Sequence, residues 1–166
     1  QDNEYKVSSD RKWRKNYISD GQYETLQDSF INEVSKISEN NQIILIYPIP
    51  EVGWNVVAKM NKFIQNLKFP NDLKKFHNKF TKSTLITTDY KVYKERSESS
   101  FSLLNSVVGK NIYRVYPHKL FCDKAIKSRC ITHDSNDIFY VDGHHPSSKG
   151  AEMINDLIMK EIENIW

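Results

Sequence analysis

Residues 42–54 read QIILIYPIPEVGW. The first six positions form an apolar run of the kind shown by a strand buried on both faces, with no wet side to alternate against. Pro48 and Pro50 then stop it. A proline has no N–H for a strand ladder and pushes the residue before it into extended backbone, so PIPEVGW reads as an irregular turn. A strand covered on both faces needs helices over it, and helical spacing lies on either side. Upstream, Leu26, Phe30, Val34 and Ile37 form an apolar stripe; downstream, VVAKMNKFIQNL (56–67) reads as a second helix.

The rest of the chain extends this alternation. NIYRVYP (111–117) and IFYVD (138–142) read as strands, and EYKVS (4–8) is a short candidate strand. Ala151, Ile154, Ile158, Ile162 and Ile165 share one face of a C-terminal helix. Residues 89–108 are mostly polar, with a helical pattern only towards Phe101, Leu104 and Val108, and the basic stretch KFPNDLKKFHNKFTK (68–82) reads as a solvated loop or short helix. Strands alternating with helices predict an α/β chain with a mainly parallel sheet, one domain over residues 1–166. Functional loops of such sheets lie at the carboxyl ends of strands. PIPEVGW and DGHHPSS (142–148) are therefore expected on one edge.

The 166 residues are 39% hydrophobic and 27% charged, with 24 basic and 21 acidic side chains and a net charge of +3. Mean hydropathy is −0.64 and the pI about 8.7. These are the values of a globular domain. The charges are dispersed, so no nucleic-acid-binding face is expected. No apolar run approaches the roughly 20 residues that span a bilayer, and the opening QDNEYKVSSD has no secretory h-region. A start on Gln suggests a mature or excised piece of something longer.

Cys122 and Cys130, the two cysteines, lie in LFCDKAIKSRC. They are open to three readings: a local disulfide, free thiols, or half of a zinc site with His118 and His133, whose spacings are looser than zinc sites usually show. A disulfide would place the protein outside the cytoplasm.

In DGHHPSS, Asp142 and His145 stand three residues apart on one turn. There the carboxylate can accept the Nδ1–H of the imidazole and leave Nε2 free as a general base. That spacing favours His145 over His144, and Ser147 is placed to cap the helix that follows. The order strand, Asp-x-x-His, Pro-Ser, Lys-Gly-Ala, terminal helix resembles the last block of the SGNH-hydrolase superfamily. IYPIPEVGWNV (46–56) is similar to a segment of the SGNH domains attached to membrane acyltransferase-3 proteins, LFCDKAIKSRC to their cysteine pair, and RKWRKNY (11–17) to their Arg-Trp segment. These features come in the family's order over about residues 5–165.

The resemblance implies a three-layer, flavodoxin-like SGNH fold, here truncated at its N-terminal end, and acyl-ester chemistry on a cell-surface glycan. Asp142 and His145 would be the acid and base of a Ser-His-Asp triad, Cys122 and Cys130 a disulfide, and the location periplasmic or extracellular. A membrane acyltransferase domain would deliver the acyl group. No tightly bound cofactor and no metal are expected, and membrane association would run only through a missing N-terminal region. Arg11, Trp13 and Glu51 are candidate substrate contacts, with packing or loop-shaping as their plainer roles. His77, His118, His133 and His144 are expected at the surface.

One departure is large. The family's nucleophile lies in Gly-Asp-Ser after the first strand, and none of Gly21, Gly53, Gly109, Gly143 and Gly150 is followed by Asp-Ser. The family's Gly-x-Asn oxyanion block is not expected in the chain either, the Arg-Trp segment occupying its place, so oxyanion donors are unassigned. The simplest account is that the serine lies outside these residues. Degeneration to a glycan-binding or scaffold domain is a second, and a substitute serine (Ser8 or Ser9) a third. Hydrolysis in place of transfer would make the same machinery a carbohydrate esterase.

Overall fold

The computed structural model describes residues 25–66 and 86–166. EYKVS, Ser8, Ser9, Arg11, Trp13, His77 and the basic stretch 68–82 lie outside the described residues. Helix α1 (Leu26–Asn40) leads into strand β1 (Ile43–Ile46), followed by helix α2 (Val56–Asn66). Then come strand β2 (Thr87–Asp89), helix α3 (Tyr90–Ser106) and strand β3 (Ile112–Val115). The short helix α4 (His118–Phe121), strand β4 (Arg129–Ile131) and helix α5 (Ser148–Ile165) complete the order.

The apolar run QIILIY does form the central strand. β1 and β3 pair in parallel, Ile43 opposite Ile112 and Ile46 opposite Val115. Leu45, Tyr47, Val107 and Ile112 are buried beneath them, with Phe30, Ile31 and Val34 of α1 and Phe101 and Leu104 of α3 packed against that cluster. This is the α/β arrangement, with parallel strands joined through helices. Thr25 caps α1, its Oγ1 accepting from Asp28 N at 3.1 Å. The stripe on α1 is turned from its predicted position: Leu26 and Ile37 are half exposed, whereas Ile31 packs inward. Near its C-terminal end, the buried Ser38 faces Gly109, where an added Cβ would lie 2.9 Å from Ser38 Oγ. Asn111 Nδ2 also donates to Ser38 O at 2.7 Å. The start of β3 is thereby tied to α1.

A second pair, β2 and β4, is antiparallel, with Thr88 opposite Cys130. Cys122 and Cys130 form a disulfide, which settles the three readings of the pair. Around it lies a second buried cluster of Val52, Val56, Phe121, Phe139 and Tyr140, against which Met153 and Ile154 of α5 pack. Arg129 binds β2 through Nε to Thr87 Oγ1 at 2.9 Å and Nη2 to Thr87 O at 2.7 Å.

Three expectations change. IFYVD is not a regular strand: Ile138 bridges His133, Tyr140 bridges Pro146, and the chain reverses between them. Phe139 and Tyr140 are consecutive and both buried. Residues 90–106 are helical throughout, because Asp89 Oδ1 caps the first turn by accepting from Lys91 N at 2.7 Å. His118 and His133 are buried, at 6% and 3% exposure, and not on the surface.

Candidate active site

The turn between Tyr140 and α5 is built by its own backbone. Val141 N donates to His145 O at 3.0 Å, and Ser147 N to Phe139 O at 2.9 Å. Ser147 Oγ donates to Ile138 O at 2.6 Å and accepts from Gly150 N at 3.2 Å. Ser147 is thus the N-cap of α5. Gly150 is required here, since a Cβ would stand 2.2 Å from Phe139 O.

Within this turn the Asp142 carboxylate collects three donors. Its Oδ1 accepts from His144 N at 2.7 Å and His145 N at 2.8 Å, and its Oδ2 lies 2.7 Å from His145 Nδ1. The backbone N–H of His145 comes first among the causes that hold this carboxyl well below the usual carboxylate range, followed by the N–H of His144 and the His145 ring. An ionised carboxylate only accepts, so the proton of the shared bond sits on Nδ1 and the Nε2 lone pair is left outward. The His145 side chain is 75% exposed and that of Asp142 36% exposed. The His144 and His145 rings meet edge to face, 6.4 Å between centroids. Such a dyad can take a proton from a hydroxyl and be stabilised as imidazolium by the carboxylate beneath it.

The loop after β1 docks onto this turn. Val52 N donates to Gly143 O at 2.9 Å, and Val56 N to Asp142 O at 3.4 Å. Gly143 permits that approach, because a Cβ there would lie 3.0 Å from Trp54 O. Gly53 has φ 84°, the left-handed region that glycine enters without strain. PIPEVGW and DGHHPSS therefore meet. Glu51 sits in this loop, ion-paired through Oε2 to Arg96 Nη2 of α3. Tyr93 of α3 donates to Pro48 O at 2.7 Å. Arg11 and Trp13, the other candidate contacts, lie outside the described residues.

Sequence reasoning passed over one element. Gly53-Trp54-Asn55 spells Gly-x-Asn immediately beside Gly143. Asn55 Oδ1 caps α2 by accepting from Ala58 N at 2.7 Å, and Lys59 Nζ lies 4.1 Å over the Trp54 ring. Among the described residues, no cluster of His, Cys, Asp or Glu could hold a metal ion, and no helix is long and apolar enough to cross a membrane.

Comparison with known proteins adds one finding: the family model described as "SGNH domain (fused to AT3 domains)" matches residues 3–160. No curated protein and no solved structure matches the chain.

Proposed function

The chain belongs to the family of SGNH domains fused to acyltransferase-3 domains, and on that premise we propose that it takes part in acyl transfer, with acetyl the expected group, to a cell-surface glycan. The observation that carries this reading is the 2.7 Å bond between His145 Nδ1 and Asp142 Oδ2, which leaves Nε2 outward on the edge where two loops meet. In the reaction, His145 takes the proton of a serine hydroxyl as its oxygen attacks the acyl donor. The donor's leaving group departs with a proton from the imidazolium, and the acyl group stays on the serine as an ester. His145 then takes the proton of a glycan hydroxyl, which attacks that ester and frees the serine. Asp142 orients the ring and stabilises its charged form.

No glycine of the 166 residues is followed by Asp-Ser, so the nucleophile is assigned outside them. A membrane acyltransferase domain supplies the acyl group, and the site faces the periplasm or the exterior, in keeping with the disulfide. Residues 1–166 act as one domain, with Glu51, Arg11 and Trp13 as acceptor contacts.

The test is made on the complete encoded protein in the cells that carry it. Acyl groups released from the surface glycan by mild base are quantified for wild type, His145→Ala and His144→Ala. Loss of a triad member costs on the order of 10⁴-fold in turnover. His145→Ala is therefore expected to remove acylation to below detection, and His144→Ala to keep most of it. The reverse pattern would overturn His145 as base. Full acylation in both variants would leave a glycan-binding domain without catalysis.

A further inference from the structure

A cavity of about 670 Å³ lies along α3, on the helix that holds Glu51 and Pro48 through Arg96 and Tyr93. That volume is within the range of roughly 300–1,000 Å³ typical of small-molecule sites. Tyr90, Tyr93 and Phe101 line it, together with His118, Glu98 and Ser102. The Tyr90 and Tyr93 rings are nearly parallel, 14° apart with centroids at 6.0 Å, and Phe101 meets Tyr93 edge-on. His118 is 6% exposed, packed 5.4 to 6.1 Å from Phe101, Tyr93, Tyr116 and Tyr90. Its Nδ1 is buried with no hydrogen-bond partner. A buried imidazole nitrogen left so carries its full desolvation cost. Nothing in the acyl-transfer scheme uses it.

We propose that this cavity is a sugar-binding subsite that seats one or more residues of the acceptor glycan, with His118 as its recognition residue; the assignment rests on the acyl-transfer reading for the identity of its occupant. The chemistry selects a sugar over the alternatives. Stacked aromatic rings suit the apolar face of a pyranose, and their burial supplies most of the contact area. The Glu98 carboxylate and the Ser102 hydroxyl, both exposed on α3, suit a hydroxyl-bearing edge. The carboxylates Glu95 and Glu98 outnumber Lys94 in the lining and oppose an anionic ligand. Burial, with Lys119 adding, lowers the His118 pKa, so the imidazole enters the site neutral, one donor and one acceptor. Rotation about χ2, a soft torsion, turns the unpartnered nitrogen to a sugar hydroxyl.

Saturation-transfer difference NMR on the complete encoded protein decides it. The probe is a set of three- to five-unit oligosaccharides cut from the same cells' surface glycan and stripped of acyl groups by base. Wild type is expected to bind them. His118→Phe, which keeps the ring and removes both nitrogens, and Ser102→Trp, which fills the cavity from an exposed position, are each expected to weaken binding at least tenfold. If His118→Phe does not fold, Ser102→Trp carries the test alone. No saturation transfer to the probe, or transfer unchanged in the Ser102→Trp variant, overturns the subsite. The acylation assay on His145→Ala is untouched by either result, so the two readings fail separately.

Discussion

The β1–β3 pair and the β2–β4 pair are each two short strands, yet they are held in different ways. β1 and β3 run parallel over a cluster of Leu45, Tyr47, Val107 and Ile112, with helices α1 and α3 against it. Apolar burial supplies their cohesion. β2 and β4 are three residues each, antiparallel, and joined by side chains: Arg129 to Thr87 and, beside the strands, Thr132 Oγ1 to Ile86 O, while a disulfide ties β4 to Cys122. The Asp142–His145 turn belongs to this second region, since Val52, Val56, Phe139 and Tyr140 of its cluster are the residues that carry the two site loops. The difference teaches that the site scaffold has its own buried cluster, distinct from the one under the parallel pair. Burial holds both, and polar and covalent links are added to the second.

That separation can be broken by substitutions on either side. Leu45→Ala removes a side chain 7% exposed from the parallel pair and is expected to cost about 2–5 kcal/mol of unfolding free energy, read from urea denaturation. Acyl transfer per folded molecule should stay near wild type. Cys122→Ser with Cys130→Ser opens a link of eight residues' separation, for an expected loss of about 2–3 kcal/mol. Here the folded fraction should lose activity as well, because the crosslink lies under the loops that meet at Asp142. If Leu45→Ala lowers activity per folded molecule as much as the cysteine variant does, the two regions are one unit and the comparison fails.

The same contrast explains what could be read from the sequence. β1, β3, α1, α2 and α5 were legible because burial against a sheet imposes a period on the residues that supply it. α3 hid behind its composition: its buried positions in the first turns are Tyr93 and Ser97, and its start is fixed by the Asp89 cap. β2 and β4 are too short to show any period. IFYVD misled because bridges to two different partners, His133 and Pro146, bury neighbours on both sides of the chain. Asp142 and His145 were legible for the opposite reason. Their pairing closes within one turn and needs no distant partner. His118 is buried against Tyr90, Tyr93 and Phe101 of α3, far away in sequence, and a lone histidine carries no pattern that announces it.

The smallest effect is a pH dependence, and it sharpens the comparison from the histidines. Burial lowers the pKa of both His118 and His133 from the unfolded value of 6.5. As pH falls through about 6.5, the unfolded chain takes up protons that the folded one refuses, so stability falls with acid. The slope is at most about 1.4 kcal/mol per pH unit for each histidine. Asp142 acts in another window. Its carboxyl is depressed, so its contribution is complete above about pH 4 and is lost only as pH drops through a folded value well below the ordinary one. Between pH 7 and 5 the histidines therefore act without it. Urea midpoints measured across that interval should decline for wild type and decline less for His133→Phe, which removes the buried group nearest β4. A midpoint that is level from about pH 7 to 5 would mean that both rings are protonated alike in the folded and unfolded chains. The site scaffold would then carry no buried histidine whose titration sets it apart from the apolar core.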